Sequence, residues 1–416
     1  MPFSIYLDDA LFELANTYFQ QADYDNAILT FNRVLNDFPN SSYQKKAHLK
    51  LGLIYFNTNH TENAVNEFKF VAVNFPNTQE SKEAMNTAKQ VFINTGDSKG
   101  YNDFLDEIPG AKITIATKDS VVYLAAEQNF STGDYDKALL GFTDYLNTYP
   151  SGPFATQAHY YRAECLSQNK DFEHALDDYT YVAEKTSGNY KERAILQSAR
   201  IYYTVTMNYA KAFEYYQLLS LSADYKENLS EALKGLMLSA WKMSDWKKTS
   251  DAADKIIGYT SSPAEDITEA NYYSAKIAMI NKDYPKAEEL FTKVLKGNNS
   301  TTGAEALYSI ALIYFNENKM DAAEKQCYKV IEQKPSYNYW IGKSYLLLGD
   351  IFFSQNDLFN AKATFESIID NYKADDDILP EAKSKLAKVT EKENEQSKVM
   401  QDSVEHTFQL DTLEQK

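Results

Sequence analysis

The same two-helix pattern returns every 36 to 38 residues along nearly the whole of this 416-residue chain. Segment 47–76, AHLKLGLIYFNTNHTENAVNEFKFVAVNFP, shows it most plainly. Leu51, Gly52 and Tyr55 share one face of a first helix, and Ala64, Phe68 and Val71 share one face of a second. Gly52 and Ala64, twelve residues apart, let the two backbones approach closely while the large residues beside them fill the flanks. Neither helix can hide its apolar stripe alone, so such a unit is stable only when stacked on copies of itself.

The copies are present. The position of Gly52 recurs as Ala15, Ala88, Ala126, Ala163, Ala199, Met237, Ala275, Ala311 and Gly349. That of Ala64 recurs as Ala27, Gly100, Ala138, Ala175, Ala212, Thr249, Ala287, Ala323 and Ala361, twelve residues on except for thirteen between Ala199 and Ala212. Four residues further stand Phe31, Phe68, Phe104, Phe142, Tyr179, Tyr216, Ala253, Phe291, Cys327 and Phe365. Pro39, Pro76, Pro150 and Pro335 close four second helices, where a residue without an N–H ends a helix cleanly. Ten such units predict an all-α stack that grows without a single central core.

Charge and chemistry narrow the function. The net charge is −17 and only four residues are Arg, an acidic surface that argues against nucleic acid or an anionic membrane as partner. No run of 18 apolar residues exists to span a membrane, and no charged start leads into an apolar leader. Cys165 and Cys327 stand in different repeats, so no disulfide is expected, and Cys327 takes a core position. The five histidines are scattered over different repeats and the tail, and none has a second His at helical metal-binding spacing. No nucleophile elbow, glycine-rich phosphate loop or CxxC pair is present, and Asp375, Asp376 and Asp377 are contiguous rather than alternate. A non-enzyme without cofactor or metal is expected.

The pattern L-G-x-x-Y, then Ala twelve after the Gly, an aromatic residue four later and Pro eight after that, resembles the tetratricopeptide repeat. The period exceeds that family's minimal unit of about 34 residues. The longer form, read at Gly133 to His159, resembles repeats of bacterial cell-envelope proteins of the outer-membrane assembly lipoprotein, Tol-system coordinator and large TonB-associated kinds. The resemblance implies a right-handed α-solenoid of about ten helix-turn-helix repeats with a C-terminal capping helix. It also implies a periplasmic or outer-membrane-associated setting, with a cytoplasmic one as the alternative.

Boundaries follow from irregularities in the pattern. Residues 1–108 form three repeats, the third degenerate because YNDFLDEI is short and ends at Pro109-Gly110. KITIATKD is β-branched and alternating, which predicts an extended joint over 109–118 or, as the alternative, a looped but rigidly packed repeat, with Asp119 or Ser120 capping the helix that follows. Repeats four to ten occupy 119–378, a charged capping helix 379–396 and a loose polar tail 397–416. Pro2 and Tyr6 align on Pro39 and Tyr43, so the chain begins in mid-array and a longer natural protein is expected.

In the family that the chain resembles, first helices line the inner, concave side. The aromatic stripe on those helices partly exceeds what core packing needs: as a whole it is expected to pack into the core, while Tyr123, Tyr160, Trp241 and Tyr272 are expected to face the groove. With Glu127, Phe130, Glu164, Arg200, Tyr203 and Lys276 they make the expected surface for a protein or peptide partner carrying apolar anchors and positive charge. The basic and asparagine-rich clamp of chaperone-tail binders is absent, since the corresponding residues are Phe12 with Asn16 and Leu49 with Leu53. The rival readings are a structural spacer within a longer repeat protein and, more remotely, a glycan-binding or glycan-processing protein.

Overall fold

A computed structural model describes the backbone of residues 6–111, 115–185, 189–296 and 300–414, and side chains as far as residue 399. Among the described residues every regular element is an α-helix. The chain divides into two compact units, 1–205 and 206–416.

The first unit holds α1 (Leu7–Gln20), α2 (Tyr24–Asp37), α3 (Gln44–Asn57), α4 (Thr61–Asn74), α5 (Gln79–Asn94) and α6 (Ser98–Asp106). It continues with α7 (Ile115–Ser131), α8 (Tyr135–Thr148), α9 (Ala155–Gln168), α10 (Phe172–Lys185) and α11 (Asn189–Thr204). The second unit holds α12 (Tyr209–Ser222), α13 (Lys226–Lys242), α14 (Trp246–Gly258), α15 (Ala264–Ile280) and α16 (Tyr284–Val294). After these come α17 (Thr301–Asn316), α18 (Met320–Glu332), α19 (Asn338–Ser354), α20 (Leu358–Asn371) and α21 (Ile378–Glu414).

All ten residues at the Gly52 position are buried, as are all ten at the Phe31 position. Within each unit the clusters they form join consecutive repeats: Leu51 and Ile54 of α3 pack with Phe31 and Val34 of α2. Burial of such stripes against neighbours supplies most of a helix's stability in this architecture.

Each turn inside a repeat is built alike. One residue takes the left-handed conformation, in turn Ala22, Asn59, Gly96, Gly133, Lys170, Met207, Ser244, Lys282, Asn318 and Asn356. The next residue takes the N-cap position of the second helix, without a side-chain bond at His60 and Lys319. In the fourth repeat Asp134 N–H bonds the Asn129 carbonyl at 2.9 Å, and its carboxylate accepts from Lys137 N at 3.2 Å. The same cap is made by Asp23, Asp97, Asp171, Asp245, Asp283 and Asp357, an acid where the helix N-terminus is positive.

Three sequence expectations are corrected. Residues 115–118 are helical within α7, so Asp119 lies buried inside the helix rather than at its cap; residues 112–114 lie outside the described residues. The segment 109–118 does not separate units either. Tyr101, Phe104 and Ile108 share a core with Val121, and Asn129 Nδ2 donates to the Gly96 carbonyl at 3.1 Å. The division falls instead at the turn of the sixth repeat, where the thirteen-residue spacing inserts an extra residue. Finally, one helix, α21, runs through both the expected cap and the expected loose tail to Glu414.

Candidate functional site

The first-helix aromatic residues do not all face outward. Tyr123 and Tyr160 are buried, at 3% and 6% exposure, contrary to the sequence expectation. The cause lies in the repeat that follows each of them. Phe154 stacks on Tyr123 with ring centroids 4.5 Å apart and planes at 6°, and Tyr190 covers Tyr160 at 5.2 Å. Tyr43 stacks on Phe12 at 4.4 Å in the same way, and Trp340 lies against Tyr308 at 5.4 Å. Sequence reading missed Tyr43, Phe154, Tyr190 and Trp340 as covers. The available signal was an aromatic residue about thirty positions beyond each of these four rings, just before or within the first turn of the next repeat's first helix.

Two carboxylates remain accessible beside these covered rings. Glu127 and Glu164, one repeat apart, are half-buried. Tyr123 Oη donates to Glu127 Oε1 at 2.8 Å, and Tyr179 Oη donates to Glu164 Oε1 at 2.7 Å. Burial first, then the adjoining glutamates, push the Tyr123, Tyr160 and Tyr179 phenols above their ordinary range. These hydroxyls therefore stay protonated as donors. Among the described residues neither carboxylate forms an ion pair. The exposed Arg193 is close enough for its charge to act on Tyr160 and Tyr161, yet it pairs with neither glutamate. Phe130, half-buried, packs on Tyr135 and Tyr161 at 5.4 and 4.9 Å. Arg200 is exposed and Tyr203 half-buried on α11.

The second unit has a different balance. Trp241 and Tyr272 are half-buried. Trp241 packs on Trp246 and Tyr273, each at 4.9 Å. Lys276 Nζ stands 5.5 Å from the Trp241 ring and 4.9 Å from the Tyr272 ring, and donates to Tyr272 Oη and Glu305 Oε1 at 2.9 Å each. The acids here are matched by lysines: Lys234 pairs with Asp266 and Glu269, and Lys343 with Asp377 and Glu381. Thus Tyr123, Glu127, Phe130, Tyr160 and Glu164 come together in the first unit, and Trp241, Tyr272 and Lys276 in the second.

Two histidines serve the packing. His48 Nδ1 meets Glu67 Oε2 at 2.6 Å beneath Phe70, and His159 Nδ1 meets Asp178 Oδ1 at 2.6 Å beneath Tyr181. Arg162 forks onto the same Asp178 through Nε and Nη2 at 2.7 and 2.8 Å. Burial pushes the Asp178 carboxyl up, but the Arg162 and His159 bonds outweigh it and hold it below its usual range. Burial also raises the thiols of Cys165 and Cys327 to about 12, too high for a reactive thiolate near neutrality. Among the described residues no three of His, Cys, Asp and Glu are disposed to hold a metal ion, and no helix is long and apolar enough to cross a membrane.

Tetratricopeptide repeat models match residues 9–41 and 339–374, and, with a second model, residues 304–337. Repeats of this kind generally mediate protein–protein interaction and are typically non-catalytic. No curated protein matches the chain. Similar solved structures include a tetratricopeptide repeat protein from Parabacteroides merdae, 17% identical over 64% of this chain and 98% of that one, with a TM-score of 0.37. Yeast Tom70 is 12% identical over 96% of this chain and 99% of its own, with a TM-score of 0.37. The TPR2AB domain of yeast Sti1, solved as a pHSP90 complex, is 14% identical over 65% of this chain and 98% of that one, with a TM-score of 0.29.

Proposed function

We propose that this protein is a non-catalytic scaffold whose first unit binds a protein or peptide partner carrying cationic side chains, in the bacterial cell envelope. The observation that carries the reading is the pair Glu127 and Glu164. Both are half-buried, held by tyrosine hydroxyls, and without a counter-ion among the described residues. A half-buried carboxylate without a cation is under-compensated, and a partner's lysine or arginine supplies what is missing. Phe130 and Tyr161 beside the carboxylates offer apolar area for the stem of such a side chain. The envelope setting rests on the longer repeat period and the motif at Gly133 to His159.

The test is a peptide array varied in charge and aromatic content, probed with the full chain. Cationic peptides with an aromatic residue are expected to bind, more weakly at high salt. Binding should fall at least tenfold in the Glu127→Gln, Glu164→Gln double variant while its thermal transition stays in place. Equal binding by the variant sinks the reading. Fractionation of the source cells tests the setting, and recovery in the cytoplasm alone would refute it. The spacer reading draws support from the burial of Tyr123 and Tyr160, which removes two of the expected anchors.

A further inference from the structure

Lysines on the first helices of the second unit are neutralised by one device. Lys234, Lys276 and Lys343 each pair with an acid of the next first helix, Glu269, Glu305 and Glu381, at 2.8, 2.9 and 2.8 Å. All three acids hold the same place, six residues before the marker position that Ala275 and Ala311 occupy and that α21 continues as Ala387.

The first unit lacks that acid after α3 and after α5. The same place holds Lys82 in α5 and Ser120 in α7. Lys46 and Lys82 share the position of Lys343, and Lys89 shares that of Lys276. Among the described residues Lys46, Lys50, Lys82 and Lys89 form no ion pair. Lys46 stands 5.9 Å from the Tyr43 ring and Lys50 4.8 Å from the Phe19 ring, while Lys82 and Lys89 have no such ring among the described residues.

An open groove of about 490 Å³ runs over α5, with Phe56 of α3 in its wall. Lys82, Asn86 and Lys89 lie within roughly 60° of one another around α5 and make one row along it. Glu83 and Gln90, roughly 80° further round, make a second. The side-chain amides of Asn86 and Gln90 make no hydrogen bond among the described residues. The neighbouring acids do not cancel the lysines. Glu80 is taken by Lys45 at 3.1 Å, and on α1 Asp9 accepts from Tyr43 Oη while Glu13 pairs with neither Lys46 nor Lys50. Glu127, at the Lys89 position one repeat on, does not pair with it. On α3 and α5 four unpaired lysines thus face one unpaired carboxylate, Glu83, in a chain whose net charge is −17.

We propose that this face of α3 and α5 binds an acidic, extended segment of a protein partner. The segment's carboxylates take the part that Glu269, Glu305 and Glu381 play in the second unit. They meet Lys82 and Lys89 first and Lys50 beyond, the Asn86 and Gln90 amides bond the segment's backbone, and Phe56 receives the stems of its side chains. Charge complementarity selects this occupant, since a cationic segment finds its match at Glu127 and Glu164 instead. The inference goes beyond the reading of those two glutamates and stands without it.

The test uses the full chain and fluorescein-labelled acetyl-Glu-Glu-Phe-Glu-Glu-amide, read by fluorescence polarisation. Saturable binding is expected, weaker as salt rises. Lys82→Gln with Lys89→Gln should weaken it by about fivefold or more while the thermal transition stays in place. Asn86→Glu, which sets an acid between the two lysines, should do the same and serves if the double variant does not fold. Lys325→Gln with Lys329→Gln removes the same charge from exposed positions on α18 and should leave binding unchanged. Glu127→Gln with Glu164→Gln should not weaken it, and a loss there would overturn the independence of the two sites. Absence of saturable binding, equal binding by the folded α5 variants, or an equal loss in the α18 variant overturns the site. An oligothymidylate of equal charge that competes as well as the unlabelled peptide overturns the protein-segment assignment.

Discussion

The ring of Phe68 occupies the space that a methyl group on Gly52 would take: a Cβ built there would stand 2.5 Å from Phe68 Cε1. Gly349 and Phe365 are related in the same way, at 2.4 Å. Gly52→Ala gains about 1 kcal/mol of helix propensity. It forces a fully buried ring to move, an overpacking cost of about 1–3 kcal/mol. A net loss is expected in urea unfolding, and a larger one for Gly52→Leu. A stabilised Gly52→Ala would show that Phe68 moves freely.

Phe142→Ala empties a fully buried position between α7, α8 and α9, and should cost about 3–5 kcal/mol. Tyr160→Ala belongs to the same class, since Tyr160 is covered by Tyr190 and packed on Tyr179 at 6.0 Å. Both variants should lower the thermal transition clearly. Trp241→Ala, at a half-buried ring, should lower it less. Equal losses at Tyr160 and Trp241 would mean that Trp241 is as much a core residue as Tyr160.

Turns give a paired test. Gly133 adopts φ +81° with no atom within 4 Å of a built Cβ, so Gly133→Ala isolates the cost of a left-handed backbone. A loss of about 1 kcal/mol is expected. Lys282 adopts φ 58° at the equivalent turn and is exposed, so Lys282→Gly should gain a comparable amount. Calorimetry of both variants checks the opposite signs.

Asp178 sets a pH dependence. Its carboxyl is held below the usual range, so its contribution is present above the unfolded value of about 3.9. It disappears as pH falls through the lower folded value. Asp178→Asn should cost stability at pH 7, toward the lower end of about 3–5 kcal/mol because Arg162 keeps some contact with water. The gap between the variant and the parent protein should close below about pH 4. A gap that is constant down to pH 2 would rule out the charged bond as its source.

The repeat core was legible because three small or aromatic positions recur at nearly fixed spacing, and every one of their close-packed markers is buried. Burial of Tyr123 and Tyr160 was not legible from their own helices, since the covering rings arrive with the next repeat. Lysine pairing of the acids in the second unit spans neighbouring repeats as well, and a helix read alone hides it. The extension of α21 escaped a reading that equated polarity with looseness.

Phe154 shelters Tyr123 and Tyr190 shelters Tyr160, always from downstream. Synthesis proceeds in that direction, so a nascent first helix can pack on its own second helix before the cover from the next repeat has emerged. While the first helix is out and Phe154 or Tyr190 is still inside the ribosome, that ring lacks its downstream cover.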